Sequence, residues 1–319
     1  MPFEAIRPTG LALAAIPLAA PILGMPATAF WIYVCAALLL VIGLIRIFRE
    51  LRELHGVDRV MPFGPLFFAI PMTVFGSEHF TDTADIAAFV PKWIPAHLFW
   101  AYAVGAGFLL AGLAISARVQ ARLAAALVGA TMLIFVLVMD TPGLLKHTDN
   151  RFFWALTLRQ LAFSGGGFAL ALSPWCARPQ RPSLPERRSA WLAVPRLFIG
   201  LPSVFYGVEH FLHPANVPGI PLQKLSAEWI PGRMILSYFV GAVLVLAGVA
   251  LIVNKRPREA ATVLGLTILL AVLWIYLPML IAAPTSLVAL NYFFDTLLFG
   301  GVILGLAGAL EKGPAAAAP

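Results

Sequence analysis

Phe75-Gly76-Ser77-Glu78-His79-Phe80 returns, 131 positions later, as Tyr206-Gly207-Val208-Glu209-His210-Phe211, and this repetition decides how the chain is organised. Trp93-Ile94-Pro95 returns as Trp229-Ile230-Pro231. Tyr102, Gly105, Ala111 and Gly112 recur as Tyr238, Gly241, Ala247 and Gly248 at an offset of 136, which also matches Arg122 with Arg258, Gly129 with Gly265 and Pro142 with Pro278. The shift from 131 to 136 puts five extra residues into the second copy, between its Glu-His motif and its Trp-Ile-Pro. The chain is a tandem duplication.

The duplicated material is membrane material. Of 319 residues, 61% are hydrophobic and 12% charged, with a mean hydropathy of +0.89, whereas soluble domains carry about 25% charged residues. Apolar runs long enough to cross hydrocarbon fall at about 28–48, 60–80, 95–117, 123–139, 153–173, 191–211, 234–253, 260–280 and 287–310, each near the roughly 20 residues a spanning helix needs. The expected fold is all-α: a polytopic transmembrane helical protein of two parallel-repeat four-helix bundles plus an N-terminal transmembrane helix. Four spans per repeat is an even number, so both copies enter the membrane in the same sense and are related by an axis along its normal.

The expected divisions are an N-terminal apolar segment and helix (1–56), repeat 1 (57–175), an Arg- and Pro-rich linker (176–189), repeat 2 (190–312) and a disordered tail (313–319). The short apolar segment 11–23 carries Pro17 and Pro21 and reads as retained in preference to a signal peptide cleaved after Ala27-Thr28-Ala29. With loops assigned alternately to two sides, fifteen Lys and Arg fall on one side and six on the other. Positive charge marks the cytoplasmic side, so the expected location is the inner (cytoplasmic) membrane with the C-terminus cytoplasmic. The excess of 22 Lys and Arg over 15 Asp and Glu then reports cytoplasmic loops, and no nucleic-acid partner is expected. Cys35 and Cys176 form no C-x-x-C, which argues against a dithiol or a thiolate metal cage.

The ordered motifs resemble the DoxX-like integral membrane proteins. These are a helix ending in Gly-x-Glu-His-Phe, a loop to Trp-Ile-Pro, a Gly-rich helix with Leu-Ala-Gly, and a last helix with an aromatic-Gly-Gly segment, Phe163-Ser164-Gly165-Gly166 or Leu298-Phe299-Gly300-Gly301. The resemblance covers roughly 57–175 and 190–311. It implies a four-helix unit and allows a quinone-linked oxidoreductase subunit, with a quinone as cofactor and a soluble oxidoreductase as partner beside the lipid bilayer. A small-molecule or lipid transporter and a non-catalytic scaffold stay open, as does whether the chain is an enzyme.

Within the spans, ionisable residues are the candidates for a ligand or proton site, because near the end of a span such a side chain costs roughly 1–3 kcal/mol or more unless paired or wetted. Glu78 and Glu209 lie one or two turns from the outer span ends, followed by His79 and His210. Pro71 and Pro202 stand seven residues earlier on the same helical face and free a backbone carbonyl there. The competing reading is that each Glu bonds a neighbouring helix, for example at Trp93-Ile94-Pro95, with each His at the headgroup level. Adjacent Glu and His lie about 100° apart around a helix and are poor co-ligands, so no metal site is expected. At the 136 offset Arg159 corresponds to Asp295. Arg159 is placed to neutralise Glu78 or Asp140 and Asp295 to accept from His210, or the two serve as a static interhelical pair; Asp140 itself caps a helix or meets water. The small-residue stripes at Gly105-x-Gly107, Ala111-Gly112, Gly241 and Ala247-Gly248 are read as close helix packing.

Overall fold

The computed structural model describes residues 25–176, 188–219 and 224–310; the segment 11–23, most of the linker and the tail lie outside them. The protein is built of helices. α1 (Ala27–Glu50) precedes repeat 1, which comprises α2 (Phe63–Thr81), the short α3 (Thr83–Ala88), α4 (His97–Ala117), α5 (Ala121–Phe135), α6 (Thr141–Lys146) and α7 (Arg151–Leu172). After the short α8 (Arg188–Trp191), repeat 2 comprises α9 (Ala193–Leu212), α10 (Arg233–Ile252), α11 (Pro257–Ala271), α12 (Leu277–Ala282) and α13 (Leu287–Ala309). In both repeats a π-helical turn, Val136–Asp140 or Val272–Tyr276, joins two helices into one rod. Pro142 and Pro278 stand two residues beyond, where the missing N–H withdraws a rung from the α-helical ladder and a wider turn takes up the slack.

Among the described residues, nine long rods therefore stand at the nine apolar runs. Among the described residues seven are long and apolar enough to cross a membrane, and the protein is a multi-pass membrane protein. The other two, α7 and α9, fall short because they carry polar side chains: Arg159 and Gln160 on α7, Arg196, Glu209 and His210 on α9.

Duplication extends to backbone strain. Left-handed conformations recur in register at Ala96 and Gly232, Arg118 and Asn254, and Gln120 and Arg256. Left-handed non-glycine residues cost roughly 1–2 kcal/mol each, so their recurrence marks turns fixed by the tertiary fold. Within each repeat the first two long helices meet backbone to backbone through glycine. A Cβ on Gly76 would lie 2.9 Å from the Gly105 oxygen, and one on Gly207 would lie 2.7 Å from that of Gly241.

The repeats are interlocked as well as adjacent. Around the molecule the packed order is α2, α4, α5, α7, α9, α10, α11, α13 and back to α2, while α7 and α13 also pack on each other through the middle. The first helix of each repeat thus closes on the last helix of the other. The aromatic-Gly-Gly segments are these crossings: a Cβ on Gly301 would lie 2.6 Å from the Phe67 carbonyl carbon, and one on Gly165 would lie 2.8 Å from the Phe198 Cβ. Equivalent residues meet where α7 and α13 touch, Arg159 with Asp295 and Gly166 with Val302. A residue can meet its own equivalent only on a symmetry axis, and two such meetings two helical turns apart make the axis run along α7 and α13. α1 packs outside this ring, chiefly on α2.

At the Arg-rich end, Arg258 donates to Asp58 at 2.9 Å across the repeats, and Arg118 pairs with Glu50 while stacking over Trp175 at 4.3 Å.

Candidate functional site

The ends of α2 and α13 opposite the Arg-rich end enclose, with α3, α4, α5 and α7, a cavity of about 430 Å³. Glu78 and His79 enter from α2, Arg159 and Gln160 from α7, and Asn291, Tyr292 and Asp295 from α13, while Phe75, Phe108, Met132, Phe135 and Phe163 form much of the remaining wall. Its size lies in the range of small-molecule pockets, and its mix of aromatic wall and a few polar groups is typical of them. Glu78, His79, Arg159 and Asp295 are therefore brought together, with Asp140 behind Gln160, whose Nε2 donates to the Asp140 Oδ1 at 3.5 Å.

Arg159 pairs with neither Glu78 nor Asp140. Its guanidinium donates to Asp295, on the pseudo-two-fold axis. The interlocking is the reason: α7 and α13 touch along the axis, so each side chain's nearest opposite charge is its own equivalent. Asp295 accordingly does not accept from His210. Asp140 stands, as expected, at a helix cap, the N-cap position of α6, but its side chain makes no capping bond there and is buried, the residue being 6% exposed. The carbonyl freed by Pro71, that of Phe67, faces Gly301 in the crossing and not the Glu78 cavity.

The two Glu-His motifs have different surroundings. On α2 the His79 Nδ1–H donates to the Phe75 carbonyl at 2.7 Å, the Phe108 ring stands edge-on to the imidazole, and Nε2 has no hydrogen-bond partner among the described residues. The His210 Nδ1–H likewise donates to the Tyr206 carbonyl, but its Nε2 accepts the Gly219 N–H at 2.8 Å. That loop is held down by the Tyr276 hydroxyl, which donates to the Pro218 carbonyl at 2.7 Å, and by Val217, buried against Ile230, Ile275 and Tyr276. Asn216 bridges back to Leu225, with the Val217 N–H donating to the Lys224 carbonyl at 2.8 Å. This is the loop that carries the five extra residues. In repeat 2 the chain itself covers what repeat 1 leaves open.

The two carboxylates differ in the same sense. Glu209, 7% exposed, accepts from the Arg151 Nη1 at 3.2 Å and lies 3.7 Å from the His213 Nε2. The corresponding positions around Glu78 are Leu287 for Arg151 and Asp82 for His213. Neither cation has a counterpart at Glu78, and the residue four after it is itself an acid, Asp82. Its Oε1 is buried without a partner, as are Arg159 Nε, Gln160 Oε1, Asn291 Oδ1 and Asp140 Oδ2. Neither glutamate bonds the Trp-Ile-Pro segments, whose Trp93 and Trp229 are exposed.

Outside the membrane-spanning segments, burial and the neighbouring Asp85 push the Asp82 carboxyl above the usual carboxylate range. Burial pushes the Cys176 thiol up to about 12, against the pull of Arg122 and Arg118.

Sequence reasoning did not single out Gln160, Asn291 or Tyr292, which appear in the sequence as ordinary span residues, nor Gly219. Arg151 was countable only as a loop cation. The contrast Arg151 against Leu287, read at the 136 offset, was the available signal. No family model, no curated protein and no solved structure matches the chain.

Proposed function

We propose that this is a protein of the inner (cytoplasmic) membrane, C-terminus cytoplasmic, that binds an amphipathic small molecule in the Glu78 cavity at the outer-leaflet end of the bundle. One observation carries the reading. Glu78, Arg159, Gln160 and Asn291 line one aromatic-walled cavity, and each has a buried polar atom without a partner. An orphaned buried polar atom costs about 1–3 kcal/mol, and a side-chain rotation that turns it toward a ligand or ordered water in the cavity offsets that cost. The sidedness rests on the fifteen-to-six distribution of basic residues. Kinship with DoxX-like proteins rests on the order and duplication of their motifs, and it makes a quinone bound for redox chemistry one member of the ligand class and a transported amphiphile another. The test is mass spectrometry of small molecules extracted from the full chain purified in mild detergent, wild type against Glu78→Gln. A stoichiometric amphiphile lost in the variant is expected. Recovery of bulk phospholipid alone, equal in both, overturns the reading.

A further inference from the structure

The two copies of the motif show what satisfies this carboxylate. In repeat 2 the carboxylate of Glu209 is met by the guanidinium of Arg151, the first residue of α7, with His213 beside it. In repeat 1 the first residue of α13 is Leu287 and the residue four after Glu78 is Asp82. Repeat 1 has the carboxylate without either of the two cations. The guanidinium of Arg159, the cation that reaches the cavity, is engaged by Asp295. An ionised carboxylate left in such a place is expensive unless a positive charge joins it.

Most of the uncommitted polar atoms have one character. Glu78 Oε1, Gln160 Oε1 and, behind it, Asp140 Oδ2 are acceptors, the Asn291 amide offers either an oxygen or an N–H, and Arg159 Nε is the one fixed donor among them. The Gln160 amide is oriented by its own bond, since its NH₂ faces the Asp140 carboxylate and a flip would set oxygen against oxygen. Acceptors without partners call for a ligand head that donates. The rings of Phe75, Phe108, Phe135 and Phe163 in the wall supply faces whose quadrupoles attract cations.

We infer that the ligand of the Glu78 cavity is an amphipathic organic cation, a protonated amine or a guanidinium on an apolar body, whose N–H groups take the place against Glu78 that Arg151 holds against Glu209. The inference rests on the binding reading above and names its ligand class. A ligand bound this way enters the cavity head first, with its apolar body against the phenylalanines.

The test titrates the purified full chain, in detergent at neutral pH, with 4-phenylbutylamine and phenylguanidine. The neutral 4-phenylbutanol and the anion 4-phenylbutyrate serve as controls of similar shape. Saturable binding of the two cations is expected, weakened at least about tenfold in Glu78→Gln. Leu287→Arg rebuilds the repeat 2 arrangement, so its own guanidinium should displace the amine while the variant folds as wild type; Leu287→Met should bind as wild type. The inference is overturned if 4-phenylbutanol binds as tightly as the amine, or if Leu287→Arg binds the amine undiminished. Failure of the broader reading is distinguishable. A neutral amphiphile that co-purifies, is lost in Glu78→Gln and is not displaced by either cation leaves the binding site standing and removes the cation. Absence of both a retained molecule and any probe binding removes both.

Discussion

The pairing of Arg159 with Asp295 allows a quantitative check on the interlocked architecture. Asp295 is 9% exposed and its carboxylate is held by the Arg159 guanidinium, whose side chain retains 29% exposure. Arg159→Met strands a buried carboxylate, and breaking a buried pair from one side costs about 3–5 kcal/mol. Asp295→Asn leaves a guanidinium that still reaches solvent and can still donate to the amide oxygen, so a cost of about 1.5–2 kcal/mol is expected. With both changes neither charge is stranded, and the double variant should lose about 2–3 kcal/mol, less than the singles together. The coupling is then about 2.5–4 kcal/mol. That exceeds the roughly 0.6 kcal/mol average for interhelical hydrogen bonds in membranes because a full charge is involved. Equilibrium unfolding of the detergent-solubilised protein, followed by tryptophan fluorescence in all four chains, measures it. Additivity within about 0.5 kcal/mol would refute the pair, and with it the contact of equivalent residues on an axis along α7 and α13.

Four other outcomes are expected. Gly301→Ala forces a Cβ to within 2.6–2.7 Å of Phe67 and Phe68 backbone atoms and should cost at least about 1–3 kcal/mol, whereas Gly107→Ala, with nothing within 4 Å, should be neutral or stabilising by up to about 1 kcal/mol; the same unfolding assay reads both. Glu209→Gln should destabilise the protein by about 1–3 kcal/mol through loss of the Arg151 bond, while Glu78→Gln, with no cation to lose, should be neutral or stabilising. In a Cys35→Ser background, Cys176, its thiol pushed up to about 12, should resist maleimide at pH 7 in the folded chain and label once unfolded. Because the folded protein raises the Asp82 pKa, the native state binds that proton more tightly than the unfolded chain. Asp82 therefore costs stability above the ordinary carboxylate pKa and ceases to cost below it, so Asp82→Asn should stabilise the protein at pH 7, by less than about 1 kcal/mol given its exposure. The advantage should vanish as unfolding is repeated toward pH 4.

The amino-acid sequence by itself determined the long apolar helices and the duplication. These are properties of composition, of runs measured against bilayer thickness and of fixed offsets, and none depends on which helix lies beside which. It also located the ionisable groups, since a carboxylate at Glu78 or Asp295 stands out wherever hydrocarbon surrounds it. What those groups do was decided by the tertiary structure. The offset that made Arg159 and Asp295 equivalent did not disclose that equivalent residues meet, because that requires each repeat to close on the other's last helix through Gly165 and Gly301. Nor did two near-identical Glu-His motifs disclose that one is covered and one open. That difference lies in residues far away in the chain: a loop lengthened by five residues that carries Gly219 to His210, and the first residue of a helix more than 50 positions from Glu209 or 200 from Glu78, Arg151 in one repeat and Leu287 in the other. A carboxylate's role is set by the charge beside it, and what stands beside it is a property of packing.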